Sequence, residues 1–237
     1  MSIPVSLAII ALAALIHASF QLSVSVLTLL SAHTIGAKRS RNKLLRLITS
    51  FVFGAGLMTA LLLSFGSLFL LSIFGANTPQ IVWAIACGMS AGVAISIWLF
   101  YYRREKGTML WIPRNVAKYL TDRTQSTKLS AEAFGLGLSS ITGEILFIIA
   151  PLLISALVLI QLPSLWQLVG IGIYTIISLL SLIIIWVSIS QGCSLSRIQK
   201  WRESNKSFLQ FVAGAGLIVL VFFVYVNEIV VFAIGKV

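Results

Sequence analysis

KRSRNKLLR, at residues 38–46, is a dense run of basic residues between two long apolar stretches. Two further basic windows lie at 103–128 and 197–206, and every Lys and Arg except Lys236 falls in one of the three windows. The alternate connections, around 75–80 and 161–166, contain neither residue type. Because Lys and Arg concentrate in the cytoplasmic loops of membrane proteins, the pattern predicts a multi-pass protein of the plasma (inner) membrane. It places the basic connections in the cytoplasm and both termini outside.

The composition favours the same class. Hydrophobic residues make up 59% of the chain and charged residues 10%, whereas soluble domains carry about a quarter charged residues. The net charge of +11 comes mainly from the connections, where anionic lipid headgroups attract Lys and Arg. Membrane lipid is therefore the expected partner of the basic windows. Nucleic acid is not expected, because these loops lack the aromatic and Gly interleaving of a nucleic-acid-binding surface.

The apolar stretches predict an all-α fold with six transmembrane helices. Each stretch is long enough to cross a bilayer, and none alternates in period two as a barrel strand does. The predicted spans lie near 5–33, 45–74, 80–102, 132–161, 165–190 and 209–234. Residues 1–237 would form a single transmembrane domain. A cytoplasmic loop at 105–130, with a short interfacial helix near Met109–Leu120, separates a three-helix repeat at 1–104 from a second at 131–237.

A faint internal similarity relates the two three-helix units. The tripeptide AGV at 91–93 aligns with AGL at 215–217 at an offset of 124 residues, and Gln21 aligns with Glu144 at an offset of 123. Because each unit has an odd number of spans, the two units must have opposite orientations in the membrane. An inverted repeat of this kind is typical of secondary transporters, whose sites lie near the bilayer midplane between the repeats.

Glu144 is the acidic residue that lies well inside a predicted span, about a dozen residues from the start of the fourth helix and therefore near mid-bilayer. A charged side chain at that depth costs about 3 kcal/mol on insertion scales, and intramembrane acids usually mark an ion or substrate pathway. We expect Glu144 to couple transport to a proton or a cation. The alternative that stays open is a neutral carboxyl that only hydrogen-bonds two helices together.

Polar residues of the first and fourth spans are the expected partners of Glu144. His17 and Gln21 share one face of the first helix, and a 3+3 arrangement would bring that face against Ser140 and Glu144. A packed, hydrogen-bonded His17 is the alternative. The remaining members of the predicted site, which would bend or break the fourth helix and free its backbone groups, are Thr142, Gly143 and Pro151.

The sequence predicts no enzyme active site, no cofactor and no metal site. The HExxH motif is absent, and no second acid lies near Glu144 to pair with it. Cys87 and Cys193 form neither a CxxC motif nor a metal-ligand spacing. Both are expected to be free thiols.

In architecture the chain resembles the superfamily of lysine exporters and cytochrome-c-biogenesis thiol conduits. The resemblance depends on six spans in two inverted triplets, with polar and helix-disturbing residues in the first helix of each triplet. Thiol conduits have a Cys in the first span of each half, whereas the matching stretches here, Ser19–Ser25 and Ser139–Glu144, contain none. The resemblance therefore implies a transporter-like scaffold without thiol transfer.

We expect a transporter-like membrane protein that moves a small neutral or cationic solute. Glu144 would be the coupling group, and His17 and Gln21 its hydrogen-bonding partners. An anion is disfavoured because no Lys or Arg lies inside a span to neutralise it. The rival hypothesis is a non-transporting scaffold, a subunit or an assembly factor in which these residues only pack helices. The sequence leaves the solute, the direction of movement and the oligomeric state open.

Overall fold

A computed structural model describes residues 1–20, 24–30, 41–76, 78–100, 114–191, 197, 200–201 and 204–230. These residues are almost entirely helical, and no strand occurs among them. The helices are α1 (Ile3–Ala18), α2 (Arg41–Phe74), α3 (Gln80–Phe100), α4 (Arg114–Ser126), α5 (Ser130–Gly143), α6 (Ile145–Leu159), α7 (Ser164–Ser178), α8 (Leu180–Ser190) and α9 (Lys206–Val224). A π-helix at Tyr225–Val230 continues α9, and residues 24–30 are also helical.

Several of the described helices are long and apolar enough to cross a membrane. Three candidates are continuous, at Asn42–Phe74, Gln80–Leu99 and Ser207–Val230. The candidate spans become five if the bent pairs α5–α6 and α7–α8 each count as one. Only 17% of the most apolar window of α2 is buried inside the protein, and a soluble protein rarely exposes so large an apolar surface. The described part of the chain is all-helical, and its long apolar helices are those of a multi-pass membrane protein.

Three of the predicted spans are interrupted. Within 5–33, α1 ends at Ala18 and a separate helical stretch occupies 24–30, while 21–23 and 31–33 lie outside the described residues. The span predicted at 132–161 is two helices that meet at 79°, and the one at 165–190 is two helices that meet at 50°. The prediction of one continuous helix was wrong for the first and fifth spans, because an apolar composition does not determine whether the backbone is continuous. The fourth span is bent, as predicted, although at Glu144.

The break between α7 and α8 has a local cause. In a regular helix the N–H of Leu179 would donate to the carbonyl of Thr175, but the hydroxyl of Ser178 donates to that carbonyl at 3.0 Å. The N–H of Leu179 instead reaches the carbonyl of Ile177. Side-chain hydroxyls that compete for backbone carbonyls in this way weaken and bend helices.

The interfacial helix predicted near Met109–Leu120 corresponds in part to α4. Residues 109–113 lie outside the described part of the chain, and α4 extends beyond the predicted end to Ser126. Leu120 and Thr124 are buried on one side of α4, whereas Tyr119 is exposed. The helix packs against α5 through its buried side.

Helices α2 and α5 form the most extensive helix pair among the described elements. Two glycines allow the pair to approach backbone to backbone. A Cβ atom added to Gly54 would collide with the carbonyl oxygen of Phe134, and one added to Gly137 would collide with the carbonyl oxygen of Phe51. Small residues have this role in many membrane helix pairs. Elsewhere α1 packs on α6, α7 and α9, and α3 packs on α6 and α9.

Candidate ion-coupling site at three helix breaks

A small cavity lies where α1, α2, α5, α7 and α8 come together, and we call it the central cavity. Its interior has room for about one water molecule. Hydroxyl, imidazole and carboxyl groups share its wall with aliphatic and aromatic side chains. The lining residues are His17, Phe20, Thr59, Ile141, Glu144, Ser178, Leu179, Ser181 and Leu182.

The interrupted helices meet at this cavity. α1 ends at Ala18 and Phe20 lines the cavity, Glu144 separates α5 from α6, and Leu179 separates α7 from α8. Helix ends leave backbone N–H and C=O groups without the usual partners inside the helix. In membrane transporters such ends commonly line the binding site for an ion or a substrate. The backbone and the side chains therefore both offer polar groups to the central cavity.

Glu144 forms the turn between α5 and α6. Its φ of −86° and ψ of −5° end the regular geometry of α5, and its N–H donates to the carbonyl of Ile141 at 3.0 Å. Its own carbonyl accepts the N–H groups of Phe147 at 2.9 Å and Ile148 at 3.2 Å, which begin α6. The side chain is 3% exposed. The Glu144 side chain is therefore buried at the junction of the two helices.

His17 is fixed by a tyrosine from the other end of the chain. Nδ1 of His17 lies 3.0 Å from Oη of Tyr174, and the ring centroids are 5.7 Å apart. Both side chains are buried. The bond occupies one imidazole nitrogen and fixes the ring orientation, so Nε2 is the remaining polar atom of the ring.

Two hydroxyls of the cavity wall donate to backbone carbonyls of their own helices. Thr59 donates its proton to the carbonyl of Ala55 at 3.0 Å, and Ser178 donates to Thr175. A hydroxyl has one proton and two lone pairs, so each oxygen can still accept a hydrogen bond or bind a cation. Among the described residues, neither Lys nor Arg lines the cavity.

The structure brings only some of the predicted site residues together. His17 and Glu144 line the cavity, and Gly143 is the last residue of α5, directly before Glu144. Ser140 is fully buried one turn earlier and donates to the carbonyl of Gly137 at 2.8 Å, but it is not a lining residue. Gln21 lies outside the described residues.

Two predicted members of the site lie away from the cavity. Thr142 is exposed and donates to the carbonyl of Leu138 at 3.2 Å. Pro151 is buried within α6, and the helix continues through it. The fourth span therefore breaks at Glu144 and not at the proline.

Four residues at or beside the cavity were not predicted as site residues, namely Thr59, Tyr174, Ser178 and Ser181. Tyr174, Ser178 and Ser181 follow at i, i+4 and i+7, which places them on one helix face. That spacing was available in the sequence, although such faces more often serve packing. Thr59 is a single hydroxyl in an apolar helix and carries no comparable signal.

Comparison with protein families, with curated proteins and with solved structures found no match to this chain. Among the described residues, no group of three or more His, Cys, Asp or Glu could hold a metal ion. Cys87 is a buried free thiol, and Cys193 lies outside the described residues.

Proposed function

We propose that this chain is a membrane transporter that moves a small neutral or cationic solute by alternating access, with Glu144 as its coupling group. The observation that carries the proposal is the position of His17 and Glu144. They lie 127 residues apart in the sequence, yet both line one cavity at a meeting point of broken helices. Gln21 is proposed as a further partner of Glu144, and Gly143 as part of the flexible backbone beside it.

The cost of burying a carboxyl supports a functional role for Glu144. An acid at the bilayer centre costs about 3 kcal/mol, and Glu144 is 3% exposed. A proton or a cation would neutralise it at the cavity, whereas an anionic solute would add a second negative charge. Neutralising Glu144 requires only that a proton or a cation bind and leave. We therefore propose no catalytic step and no cofactor.

The proposed architecture is six spans in two inverted three-helix repeats, with α1, α2 and α3 in the first and α5–α6, α7–α8 and α9 in the second. Two packing relations support it. Exchanging the repeats converts the contact between the first and fifth spans (α1–α7) into the contact between the fourth and second spans (α5–α2). It also converts the contact between the first and sixth spans (α1–α9) into the contact between the fourth and third spans (α6–α3). Both pairs of contacts are present, as a two-fold axis in the membrane plane requires.

Individual residues follow the same relation. The thiol of Cys87 donates to the carbonyl of Val221 at 4.0 Å, and the indole N–H of Trp98 donates to the carbonyl of Phe211 at 3.4 Å. Phe211 is 124 residues after Cys87, and Val221 is 123 residues after Trp98. Exchanging the repeats therefore converts one contact into the other, at the offsets that the sequence similarity predicted.

We further propose that the protein lies in the inner membrane with its basic connections in the cytoplasm and both termini outside. Lys118 and Arg123 are exposed on α4, where anionic headgroups would attract them. The proposed scaffold is that of the lysine-exporter and thiol-conduit superfamily.

A non-transporting scaffold, subunit or assembly factor is the second candidate. The small size of the cavity favours it, because the space for about one water molecule is no larger than many packing defects. In that function His17 and Glu144 would only hold helices together.

Labelling of introduced cysteines distinguishes the two functions. In a background with Cys87→Ser and Cys193→Ser, the variants Thr59→Cys and Ser178→Cys place a thiol on the cavity wall. Ser155→Cys is the matched control, because Ser155 is fully buried on α6 and does not line the cavity. A transporter requires that a membrane-impermeant thiol reagent reach both cavity positions in intact vesicles.

The rate at which Thr59→Cys and Ser178→Cys are labelled should differ between the two sides of the membrane. Ser155→Cys should remain unlabelled from either side. If neither cavity position reacts from either side, the protein does not open a water-filled path and the scaffold function is the better description.

A further inference from the structure

We infer that Tyr174 is a positioning residue that makes His17 an N–H donor to the central cavity. The hydroxyl of Tyr174 donates to Nδ1 of His17, which leaves the ring neutral with its proton on Nε2. The Nε2–H group then binds a hydrogen-bond acceptor, namely the oxygen of a solute or of a water molecule that takes its place. The inference rests on the proposed function and names the chemistry by which His17 serves it.

Helices α1 and α7 hold the two side chains together. Nδ1 of His17 lies 3.0 Å from Oη of Tyr174, and the rings are inclined at 56° with their centroids 5.7 Å apart. Gly170 lies one turn before Tyr174, and a Cβ atom there would come within 3.1 Å of the side chain of Ile10 on α1. Small residues allow such close approach of membrane helices. The approach of α7 to α1 therefore places the hydroxyl within hydrogen-bond reach of the imidazole.

The burial of Tyr174 determines the direction of this hydrogen bond. Its hydroxyl carries one proton, its side chain is 0% exposed, and Nδ1 of His17 is its hydrogen-bond partner among the described residues. If Nδ1 carried a proton and donated to Oη, the hydroxyl proton would be buried without an acceptor. The cost of such a group favours the opposite direction by a factor on the order of ten or more. The hydroxyl is therefore the donor.

The direction of the bond also determines the proton and the charge of His17. A neutral imidazole that accepts at Nδ1 has its proton on Nε2. A doubly protonated ring donates from both nitrogens and could not accept the hydroxyl proton of Tyr174. His17 is 3% exposed, and a neutral ring is also the less costly form to bury. His17 is therefore a hydrogen-bond donor and not a base.

The Nε2 edge of the imidazole is the edge that can reach the central cavity. His17 lines the cavity, whereas Tyr174 is not among the lining residues, so the Nδ1 side of the ring is turned away from it. The ring edge opposite Nδ1 consists of Nε2 and Cδ2. In the part of the chain that the structure describes, Nε2 has no hydrogen-bond partner. A buried N–H donor therefore adjoins a space for about one water molecule.

The test is nitrogen NMR of the purified protein in detergent. The chain contains two histidines, His17 and His33, so isotope-labelled histidine in a His33→Gln background reports on His17 alone. Couplings to the ring protons tell the two nitrogens apart. At neutral pH we expect a proton on Nε2 and none on Nδ1. Without added solute, magnetisation should transfer between water and the Nε2 proton.

Tyr174→Phe in the same background separates positioning from packing. The ring stays almost the same size, but Nδ1 loses its donor. The Nδ1 signal should therefore move to the position of a nitrogen that accepts no hydrogen bond, and a population with the proton on Nδ1 should appear. Tyr119→Phe is the matched control, because Tyr119 lies exposed on α4. It should leave both nitrogen signals of His17 unchanged.

A proton on Nδ1 in the His33→Gln protein, or protons on both nitrogens, would overturn the inference. Identical spectra of Tyr174→Phe and Tyr119→Phe would overturn it too, as would an Nε2 proton without contact to water. If Tyr174→Phe does not fold, the His33→Gln spectrum is still decisive, because it shows which nitrogen carries the proton. None of these results contradicts the proposed function if the cavity thiols are labelled from both sides. Failure of that labelling contradicts the function itself, so the two failures are distinguishable.

Discussion

Substitution of Gly137 by Ala tests the contact that holds α5 against α2. A Cβ atom at Gly137 would overlap the carbonyl oxygen of Phe51 and come within 2.9 Å of the backbone nitrogen of Ala55. Backbone atoms cannot rotate away as a flexible side chain can, so the two helices must separate. Overpacking of this kind lowers the free energy of unfolding by about 1–3 kcal/mol. Replacing a helical Gly by Ala raises it by about 0.5–1 kcal/mol. Because the clash is with backbone atoms, we expect the upper part of the overpacking range, and the free energy of unfolding of Gly137→Ala should fall by about 2 kcal/mol.

Gly88→Ala is the matched control for this substitution. Gly88 also lies within an apolar helix, α3, but a Cβ atom there would have no neighbour within 4 Å. Without a clash, only the gain in helix propensity remains, and the variant should be up to about 1 kcal/mol more stable than the wild type. The two free energies of unfolding would be measured in the same detergent by titration with a denaturing surfactant.

The geometry of the α2–α5 contact also reaches the central cavity. Thr59 on α2 and Ile141 on α5 both line it, so separation of the two helices by Gly137→Ala should widen the cavity. A thiol at Ser178→Cys should then react faster with an aqueous reagent. If Gly137→Ala is as stable as Gly88→Ala, the close backbone approach described here is wrong.

Two side-chain hydrogen bonds between distant parts of the chain give further predictions. Tyr174→Phe removes the hydroxyl that bonds Nδ1 of His17 at 3.0 Å and should lower the free energy of unfolding by about 1 kcal/mol; an unchanged value would mean that the bond contributes nothing. Trp186→Phe removes the indole N–H that donates to Oγ1 of Thr49 at 3.0 Å. A double-mutant cycle with Thr49→Val should give a coupling of about 0.6 kcal/mol, and strict additivity of the two losses would contradict the contact.

The membrane class could be predicted, and Glu144 singled out as a buried acid, because both depend on local sequence. Charge windows such as 38–46 mark loops without knowledge of the fold, and an acid in an apolar span is unusual wherever it packs. His17 could be proposed as a partner because the repeat offset brings the first and fourth spans together. The structure places both residues at one cavity.

The helix breaks were only partly predictable. Gly143 and Pro151 both weaken a helix, but tertiary packing determines at which of the two positions the helix breaks. The break lies beside Gly143. The break at Leu179 carries no Gly or Pro signal. It depends on the competition between the Ser178 hydroxyl and the Leu179 N–H for one carbonyl, and similar hydroxyls occur in helices that stay regular, such as Ser90 on α3.

Thr142 was predicted as one of the residues that would bend or break the fourth helix, and it lies two residues before the break at Glu144. That prediction did not fix which way its side chain faces. A bend of 79° after Gly143 changes which directions the flanking residues face. Thr142 is exposed, whereas Glu144, two residues later, is buried. Side-chain direction near a break cannot be read from helical periodicity.

Chemical cross-linking between positions 17 and 144 tests most directly whether two distant segments share one cavity. In the Cys87→Ser, Cys193→Ser background, His17→Cys is combined with Glu144→Cys, and a protease site is inserted in the 105–113 connection. A short bifunctional thiol reagent should keep the two fragments joined after cleavage. The control pair, His17→Cys with Ser155→Cys, should separate, because Ser155 does not line the cavity. Fragments that separate equally in both pairs would contradict the shared cavity.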